Sequence, residues 1–306
     1  MKITKALITA AGFGTRFLPI TKTIQKEMLP LLDRPIIDYV VDDLIAAGVT
    51  DIIFVISEHN SQLIHYYREN QRLLRYLTVR NKTSLYDQVA EQHQKATFHF
   101  IHQKDTEQYG TAVPLKLAQP MLQDEEAFFV FMGDDLVFNA DGYSESAAMI
   151  QLMEATQAIA VATCVKKPAD ELYRYGVVKT KIQQSHELLD SIVEKPTPGN
   201  APSNLVNISK YIFTPRVFEV LAEQTIDTNS GELYITDTIT KLAETSPVAI
   251  HIPKGMYLDG GNPLDWLKAN ITVGLTRPDM AEKLVQFFKQ QSQLTDDILG
   301  DKLQVS

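Results

Sequence analysis

A short glycine-rich turn near the N-terminus carries the residues best suited to chemistry. The apolar stretch 6–8 runs into the turn AAGFGT at 10–15, and three cations follow at Arg16, Lys22 and Lys26. Glycines allow backbone N–H groups to approach an anion closely, and nearby cations neutralise its charge. The turn is therefore predicted to hold a phosphate.

Two common phosphate-binding patterns do not fit this turn. A dinucleotide-binding fold needs G-x-G-x-x-G, but the third glycine is replaced here by Phe17. A P-loop needs G-x-x-x-x-G-K-[ST], which the sequence lacks. The turn instead reads G-x-G-T-R-x-L-P and is followed by T-K and by K-E-M-L-P.

This pattern resembles the sugar-phosphate nucleotidyltransferases, also called nucleotide-sugar pyrophosphorylases. Residues 3 to 275 contain further matches in the order that the family shows. They are FVFMGDD (129–135), YGVVK (175–179), VEKP (193–196), SNLVNISKYIF (203–213), SGELYITDTI (230–239) and YLDGGNPLDWLKAN (257–270). Each motif is short, but their order and spacing make the joint pattern specific.

The resemblance implies a reaction in which a sugar 1-phosphate attacks the α-phosphorus of a nucleoside triphosphate in line and releases pyrophosphate. With Glu27, the KEMLP motif resembles that of the branch of the family that transfers UMP from UTP to α-D-glucose 1-phosphate. The thymidylyl branch usually has Gln at this position. A thymidylyl- or cytidylyltransferase acting on a hexose 1-phosphate is the alternative.

The resemblance also implies roles for individual residues. Arg16 would hold the leaving pyrophosphate, Lys26 would lie near the α-phosphate, and Lys195 would hold the sugar phosphate; these three are the catalytic candidates. The other candidates are Ala11, Gly12, Gly14, Thr15, Glu27, Gln103 and Gly110 for the nucleotide, and Gly176, Glu194 and Asn204, with Lys195, for the sugar phosphate.

Two aspartates in distant segments, Asp134 and Asp259, are expected to bind Mg²⁺. Mg²⁺ prefers oxygen ligands and is commonly held by one or two carboxylates together with substrate phosphates. The neighbouring Asp135 can be explained as a residue of a strand-end turn.

The sequence departs from the family pattern at two positions. Gln108 replaces the glycine that contacts the base, which leaves specificity for uracil open. Gln25 replaces a proline before KEMLP, which is expected to loosen the turn without removing a ligand.

Strands and helices alternate through the first half of the chain. Apolar runs predict strands at 51–57, 96–101, 127–132 and 158–165, and helical patterns cover 36–45, 59–76, 111–122 and 144–156. This alternation indicates an α/β, Rossmann-like nucleotidyltransferase fold with a mixed, mostly parallel sheet flanked by helices. Ligands of such sheets gather at the C-terminal ends of the strands, where the turn and the GDD motif both lie.

The later segments are shorter. Strands are expected at 176–180, 188–193 and 205–213, and helices at 215–223, 232–244 and 262–274. We therefore predict a nucleotidyltransferase domain over 1–275, with a nucleotide-binding part at 1–165 and a small sugar-phosphate-binding lobe at 166–260. A C-terminal helical tail is expected at 276–306 and a surface insertion at 80–95.

Composition narrows the class of protein. The net charge of −9 argues against a general nucleic-acid or anionic-membrane surface. The single cysteine, Cys164, excludes an intrachain disulfide, and no apolar run reaches 18 residues. We expect a cytoplasmic homo-oligomeric enzyme, a dimer or tetramer, that acts on small molecules and has no nucleic-acid or membrane partner.

Two readings from other classes compete. A GT-A glycosyltransferase also places aspartates after a strand, but the N-terminal cations suit a pyrophosphate leaving group. A catalytically silent sugar-nucleotide sensor would not need Arg16, Lys26, Asp134 and Lys195 together.

Overall fold

The structure is a computed structural model that describes residues 1–104, 108–183, 186–228 and 230–291. The strands are β1 (Lys5–Ala10), β2 (Pro30–Leu31), β3 (Arg34–Pro35), β4 (Asp51–Ser57), β5 (Thr97–Gln103), β6 (Phe128–Met132), β7 (Asp135–Phe138), β8 (Ala160–Lys166), β9 (Gly176–Gln183), β10 (His186–Glu194), β11 (Leu205–Phe213), β12 (Val248–His251) and β13 (Met256–Asp259). The helices are α1 (Ile36–Ala46), α2 (Gln62–Tyr66), α3 (Gln71–Val79), α4 (Ser84–Lys95), α5 (Val113–Leu122), α6 (Glu145–Thr156), α7 (Arg216–Glu223), α8 (Ile235–Thr245) and α9 (Pro263–Thr276).

A nine-stranded mixed sheet organises the chain, in the order β5-β4-β1-β6-β11-β8-β12-β10-β9. Strands β5, β4, β1 and β6 run parallel, as does the pair β8–β12. Strand β11 is antiparallel to both β6 and β8, and β10 is antiparallel to β12 and β9. The expected mixed α/β sheet is confirmed, and strands from both sides of residue 165 share it.

The core lies on both faces of this sheet because successive side chains of a strand point to opposite faces. On one face Leu7 packs in a cluster with residues of α5, α7 and α8. On the other face Ile8 packs in a cluster with residues of α1 and α6. Strand β1 is therefore buried on both faces, and its C-terminal end is held rigidly where the glycine-rich turn begins.

One prediction about the region between β4 and β5 is wrong. The single helix expected at 59–76 is two helices, α2 and α3. The Asn70 side chain accepts a hydrogen bond from the backbone N–H of Leu73 and so begins a new helix, while Tyr67 is buried and donates to Asp38. The stretch 80–95, expected as a surface insertion, contains helix α4, which packs through Tyr86 against Leu77 and leaves most of its described residues exposed.

A separate two-stranded sheet, formed by β7 and β13, completes the crevice. Strand β7 begins at Asp135, the last residue of the GDD motif, and pairs antiparallel with β13, so that Asp135 lies opposite Asp259. Sequence patterns did not predict either strand, because each is only four residues long.

The C-terminal tail is helical over 281–291, and Leu284 approaches Gly274 of α9. The rest of the predicted tail, 292–306, lies outside the described residues. Within the described ranges, no helix is both long and apolar enough to cross a bilayer.

Candidate active site

The glycine-rich turn is held in a defined shape by local hydrogen bonds. Gly14 has φ +63°, and its carbonyl oxygen accepts a hydrogen bond from the Thr21 hydroxyl at 2.7 Å. Left-handed backbone of this kind favours glycine. The next residues, Thr15–Phe17, form a short 3₁₀ helix that leaves Arg16 exposed.

Gln25 tethers the turn. Its buried side chain donates to the Ala10 carbonyl oxygen at 2.7 Å, and its backbone N–H donates to Gln62 Oε1 at 2.8 Å. The expectation that Gln25 loosens the turn is therefore wrong, because the amide connects the segment to the end of β1.

Lys26 and Asp134 form an ion pair at the centre of the crevice, with Lys26 Nζ 2.8 Å from Asp134 Oδ2. Burial opposes the charge on each group, but the attraction between them outweighs burial. The pKa of Lys26 is raised and the pKa of Asp134 is lowered. Both side chains are therefore charged near neutral pH.

Glu27 is fully buried beside this pair, and neither carboxylate oxygen has a hydrogen-bond partner. Burial raises its pKa to about 7, Lys26 partly offsets this, and Asp134 adds to it. Its Cγ lies 2.8 Å from the position that a Cβ on Gly133 would take, so only glycine fits beside it.

Two further carboxylates, Asp135 and Asp259, lie opposite each other on the two-stranded sheet of β7 and β13. Tyr257 donates its hydroxyl to Asp135 Oδ1 at 2.7 Å, and Tyr175 donates to Asp259 Oδ2 at 3.5 Å. Burial, followed by repulsion from Asp134 and Asp259, raises the pKa of Asp135 to about 7. Asp135 is thus part of the site, whereas the sequence explained it as a turn residue.

Gly261 keeps open a space bordered by charged atoms. A Cβ there would lie 2.8 Å from Asp259 Oδ1, 3.3 Å from Arg16 Nη1 and 3.7 Å from Asp134 Oδ2. The backbone N–H of Gly261 also donates to Asp259 Oδ1. The fold thus brings together the two predicted metal ligands, Asp134 and Asp259, with Arg16.

This donor set fits a hard divalent cation that also binds substrate phosphates. Among the described residues, no three side chains of His, Cys, Asp or Glu are arranged to hold a metal by themselves. Two carboxylates suit Mg²⁺, which commonly takes one or two protein ligands and completes its shell with water and phosphate oxygens.

A cavity of about 290 Å³ connects these residues with the predicted sugar-phosphate site. Arg16, Asp134 and Asp259 line it together with Gly176, Glu194 and Lys195. The predicted residue Asn204 is exposed and is absent from the lining, whereas Asn207 of the same strand region is part of it.

Lys195 is held in an unusual backbone conformation. Its φ is +44°, and its N–H donates to the Tyr175 carbonyl oxygen at 3.0 Å. Non-glycine residues rarely adopt this conformation, and such strain clusters at functional sites. Next to it, Glu194 Oε2 lies 3.0 Å from the place of a Cβ on Gly176, and burial raises the pKa of Glu194.

The predicted base-binding residues lie at the end of β5 and in the segment after it. Gln103 is buried, and its Oε1 has no hydrogen-bond partner. The Gln108 side chain donates to the Gly231 carbonyl oxygen at 2.7 Å, so its amide is engaged with a neighbouring loop. Residues 105–107 lie outside the described residues.

Gly110 joins this segment to the loop before α8. Its φ is +133°, and a Cβ would lie 2.3 Å from the backbone nitrogen of Leu233. Leu233 donates its N–H to the Tyr109 carbonyl and accepts from the Ala112 N–H, while Thr111 Oγ1 accepts from the Ile235 N–H. Only glycine permits two backbones to approach this closely.

Buried polar atoms without partners mark the crevice. Among the described residues, such side-chain atoms belong to Gln25, Glu27, Gln103, Asn207 and Thr236. The first two lie in the segment around Lys26, Gln103 ends β5, and the last two line the cavity. Because buried polar groups are normally hydrogen-bonded, their concentration here indicates a site for a polar ligand.

Four residues of the site were not predicted from the sequence: Asn207, Thr236, Tyr257 and Lys210. Lys210 is buried with its Nζ 4.0 Å from the centre of the Phe131 ring, and burial lowers its pKa to about 8 although Asp43, Asp135 and Asp134 oppose this. A signal existed for Asn207 and Lys210, since both interrupt the otherwise apolar run LVNISKYIF.

Comparison with known proteins agrees with this site. The family model described as Nucleotidyl transferase matches residues 5–274. This chain belongs to the nucleotidyl transferase family. Among its curated relatives, the UTP–glucose-1-phosphate uridylyltransferase of Bacillus subtilis (strain 168) is 33% identical over 291 residues, which cover 94% of this chain and 97% of the relative.

Solved structures of nucleotidyl transferases superpose on the whole fold. A UTP-bound UGPase from Acinetobacter baumannii has a TM-score of 0.82 at 29% identity, covering 94% of this chain and 98% of its own. A UDP-glucose pyrophosphorylase complexed with UDP-glucose has a TM-score of 0.78 at 30% identity, covering 90% of this chain and 100% of its own.

Proposed function

We propose that this protein transfers UMP from UTP to α-D-glucose 1-phosphate, forming UDP-glucose and pyrophosphate. One observation carries the proposal: a single cavity is lined by Arg16 beside the glycine-rich turn, by Asp134 and Asp259, and by Lys195. The relatives and solved structures named above bind UTP or UDP-glucose, or carry this activity in their names.

The nucleotide end supplies positioning and charge. Gly12 and Gly14 let the triphosphate approach backbone donors, and Arg16 offers its planar fork to the leaving pyrophosphate. Lys26, kept charged by Asp134, neutralises charge near the α-phosphate. Phosphoryl transfer needs little covalent work from a protein, so these electrostatic contributions dominate.

The acceptor end aligns the nucleophile. Lys195 would bind the phosphate of glucose 1-phosphate so that one of its oxygens faces the α-phosphorus in line, while Gly176 and Glu194 contact the sugar. The strained backbone of Lys195 fixes the direction of its side chain. Holding both reactants in this way removes much of the entropic part of the barrier.

Mg²⁺ is the metal that we propose, with Asp134 and Asp259 as its protein ligands. When bound, it would neutralise phosphate charge that Arg16 and Lys26 alone leave uncompensated. Asp135, held by Tyr257, would help to keep Asp134 and Asp259 in position. It would not need its own charge for this, because its pKa is raised to about 7.

Gln103 and Gln108 are the residues that would affect recognition of the nucleobase. Gln103 has a free acceptor for a pyrimidine edge, and the Gln108 amide is bonded to Gly231. A thymidylyl- or cytidylyltransferase on the same scaffold remains the alternative. Because all the substrates are cytoplasmic metabolites, we propose a cytoplasmic location; the expected homo-oligomer stays a prediction.

A substrate panel tests the function. Purified protein is incubated with Mg²⁺, glucose 1-phosphate and UTP, dTTP or CTP, and pyrophosphate release is measured. We expect UTP to react fastest. Equal or faster reaction with dTTP or CTP removes the uridylyl assignment, and absence of pyrophosphate release with every nucleotide overturns the proposed reaction.

Replacement of Lys195 by Ala tests the acceptor role. We expect turnover to fall about 10²–10³-fold, as when a charge-stabilising donor is removed, while UTP binding measured by calorimetry changes little. Unchanged turnover would refute the role of Lys195.

A further inference from the structure

Asn207 is a polar residue in a strand where apolar side chains are expected. Strand β11 reads LVNISKYIF, and its neighbours Val206 and Ile208 pack in an apolar cluster. Asn207 itself is 8% exposed. Burying an amide is unfavourable unless both its nitrogen and its oxygen find partners.

Only half of the Asn207 amide is satisfied within the described structure. Its Nδ2 donates to the Tyr211 hydroxyl, whereas Oδ1 is buried without a hydrogen-bond partner. The Tyr211 hydroxyl can bond to only one of the two head-group atoms, so turning the amide over would still leave an unpaired atom.

A β-bulge begins directly after Asn207. Between Asn207 and Tyr211 the chain of β11 advances while its partner β8 moves only from Cys164 to Ala162. Ser209, inside this bulge, has φ +54° and lines the same cavity as Asn207. Bulges commonly redirect side chains next to active sites, and strained backbone concentrates there.

The surroundings of Asn207 define the ligand chemistry. Thr236 is a second residue of the cavity with a buried hydroxyl that lacks a partner, and Glu194 lines the same space. Amide, hydroxyl and carboxylate oxygens accept hydrogen bonds from hydroxyl groups. Because Lys195 would bind the phosphate of the acceptor, these oxygens are left to accept hydrogen bonds from the hydroxyl groups of the sugar ring.

We infer that Asn207 recognises one hydroxyl group of the acceptor hexose and is a specificity-determining residue. The inference rests on the proposed function, since it presumes that the cavity holds a sugar 1-phosphate. In the bound state Oδ1 accepts a hydrogen bond from that hydroxyl while Nδ2 stays on Tyr211, which sets the direction of the amide.

Acceptor analogues provide the test. Wild-type protein, Asn207→Leu and Tyr211→Phe are assayed for pyrophosphate release with UTP and either glucose 1-phosphate or its four monodeoxy analogues, lacking the hydroxyl at C2, C3, C4 or C6. For one analogue we expect wild-type kcat/KM to fall at least about tenfold, since its absent hydroxyl leaves Oδ1 unpaired.

Asn207→Leu should lose this discrimination. Its kcat/KM for glucose 1-phosphate falls by about the same factor, its KM for UTP is unchanged, and the decisive analogue is used as well as glucose 1-phosphate. Tyr211→Phe removes the bond that sets the direction of the amide, so it should weaken the discrimination less than Asn207→Leu does. Asn200→Ala, in an exposed loop, serves as the matched amide control.

The outcomes separate the two claims. If Asn207→Leu retains the wild-type ratios for all four analogues, the inference is overturned and Asn207 serves only to bond Tyr211. If Asn207→Leu does not fold, as judged by thermal unfolding, the smaller Asn207→Ala is tested by the same ratios. Absence of pyrophosphate release by wild-type protein would instead overturn the proposed function, and this inference with it.

Discussion

The two ends of the crevice are built on different physical principles. At the nucleotide end, opposite charges lie within hydrogen-bond distance, as in the 2.8 Å contact between Lys26 and Asp134. At the acceptor end, Asn207 and Thr236 are neutral and keep unpaired polar atoms. Changes at the nucleotide end should therefore act on turnover. At the acceptor end, the charge of Lys195 should also act on turnover, whereas changes to the neutral residues that face the sugar should act on KM and specificity.

Replacement of Lys26 by Met should have the largest effect. The variant leaves Asp134 without its cation and the α-phosphate without a nearby positive charge, so we expect kcat to fall about 10³-fold. Steady-state pyrophosphate release measures it. A rise in acceptor KM with unchanged kcat would break the distinction between the two ends.

Gly261→Ala tests the space shared by the carboxylates and Arg16. The added Cβ would lie 2.8 Å from Asp259 Oδ1, so we expect a loss of about 10–100-fold in activity or apparent Mg²⁺ affinity. Turnover is titrated with Mg²⁺. Gly274→Ala is the control, because its Cβ meets only the flexible side-chain ends of Leu284 and Leu32; equal effects of the two variants would contradict the prediction.

Glu27→Gln tests the buried acid at the nucleotide end. The folded protein holds the Glu27 proton up to about pH 7, whereas the unfolded chain releases it near its ordinary value of 4.5. Stability from this group is therefore present at low pH and is lost as pH rises through that window.

The Glu27→Gln variant should consequently lose less stability between pH 5 and 7.5, with its Tm falling about 2–4 °C less than that of the wild type. Differential scanning calorimetry measures both slopes. Asp135, whose pKa is raised in the same direction, leaves a residual slope. Identical slopes would show that Glu27 does not titrate in this range.

Arg174→Ala should have the smallest effect. Arg174 lines the cavity, but it is partly exposed and already pairs with Asp265, Nη2 to Oδ2 at 3.3 Å. Solvent-exposed pairs contribute little, so we expect acceptor KM to rise only about two- to fivefold with kcat unchanged. A larger loss in kcat would place a second catalytic charge, besides that of Lys195, at the acceptor end and weaken the comparison.

Local patterns predicted the parts of the structure that local physics determines. Strand β4 was predicted as 51–57 and β11 as 205–213, and both bounds agree with the structure. Their apolar runs are bounded by polar residues or turns, so hydrophobic burial alone defines them. The predicted roles of Arg16 and Lys195 came from motif order, since composition alone does not distinguish them from surface cations.

Contacts between distant segments could not be predicted in this way. The bond from Lys26 to Asp134 depends on β1 lying beside β6. The Asp135–Asp259 pairing depends on two very short strands that are distant in the sequence. Asn204 was predicted for the sugar, but Asn207 lines the cavity; Asn204 lies just before β11, whereas Asn207 lies within it. Which residue of a short motif faces a cavity depends on how its strand pairs, and the motif itself does not show that pairing.

The contact between Gly110 and Leu233 has a mechanical consequence. It fastens the segment that follows the base-binding strand to the loop that begins the acceptor wall, with the two main chains touching. A displacement of the segment at Gly110 would therefore reach the loop before α8 through main-chain contact, with no side chain between them to absorb it.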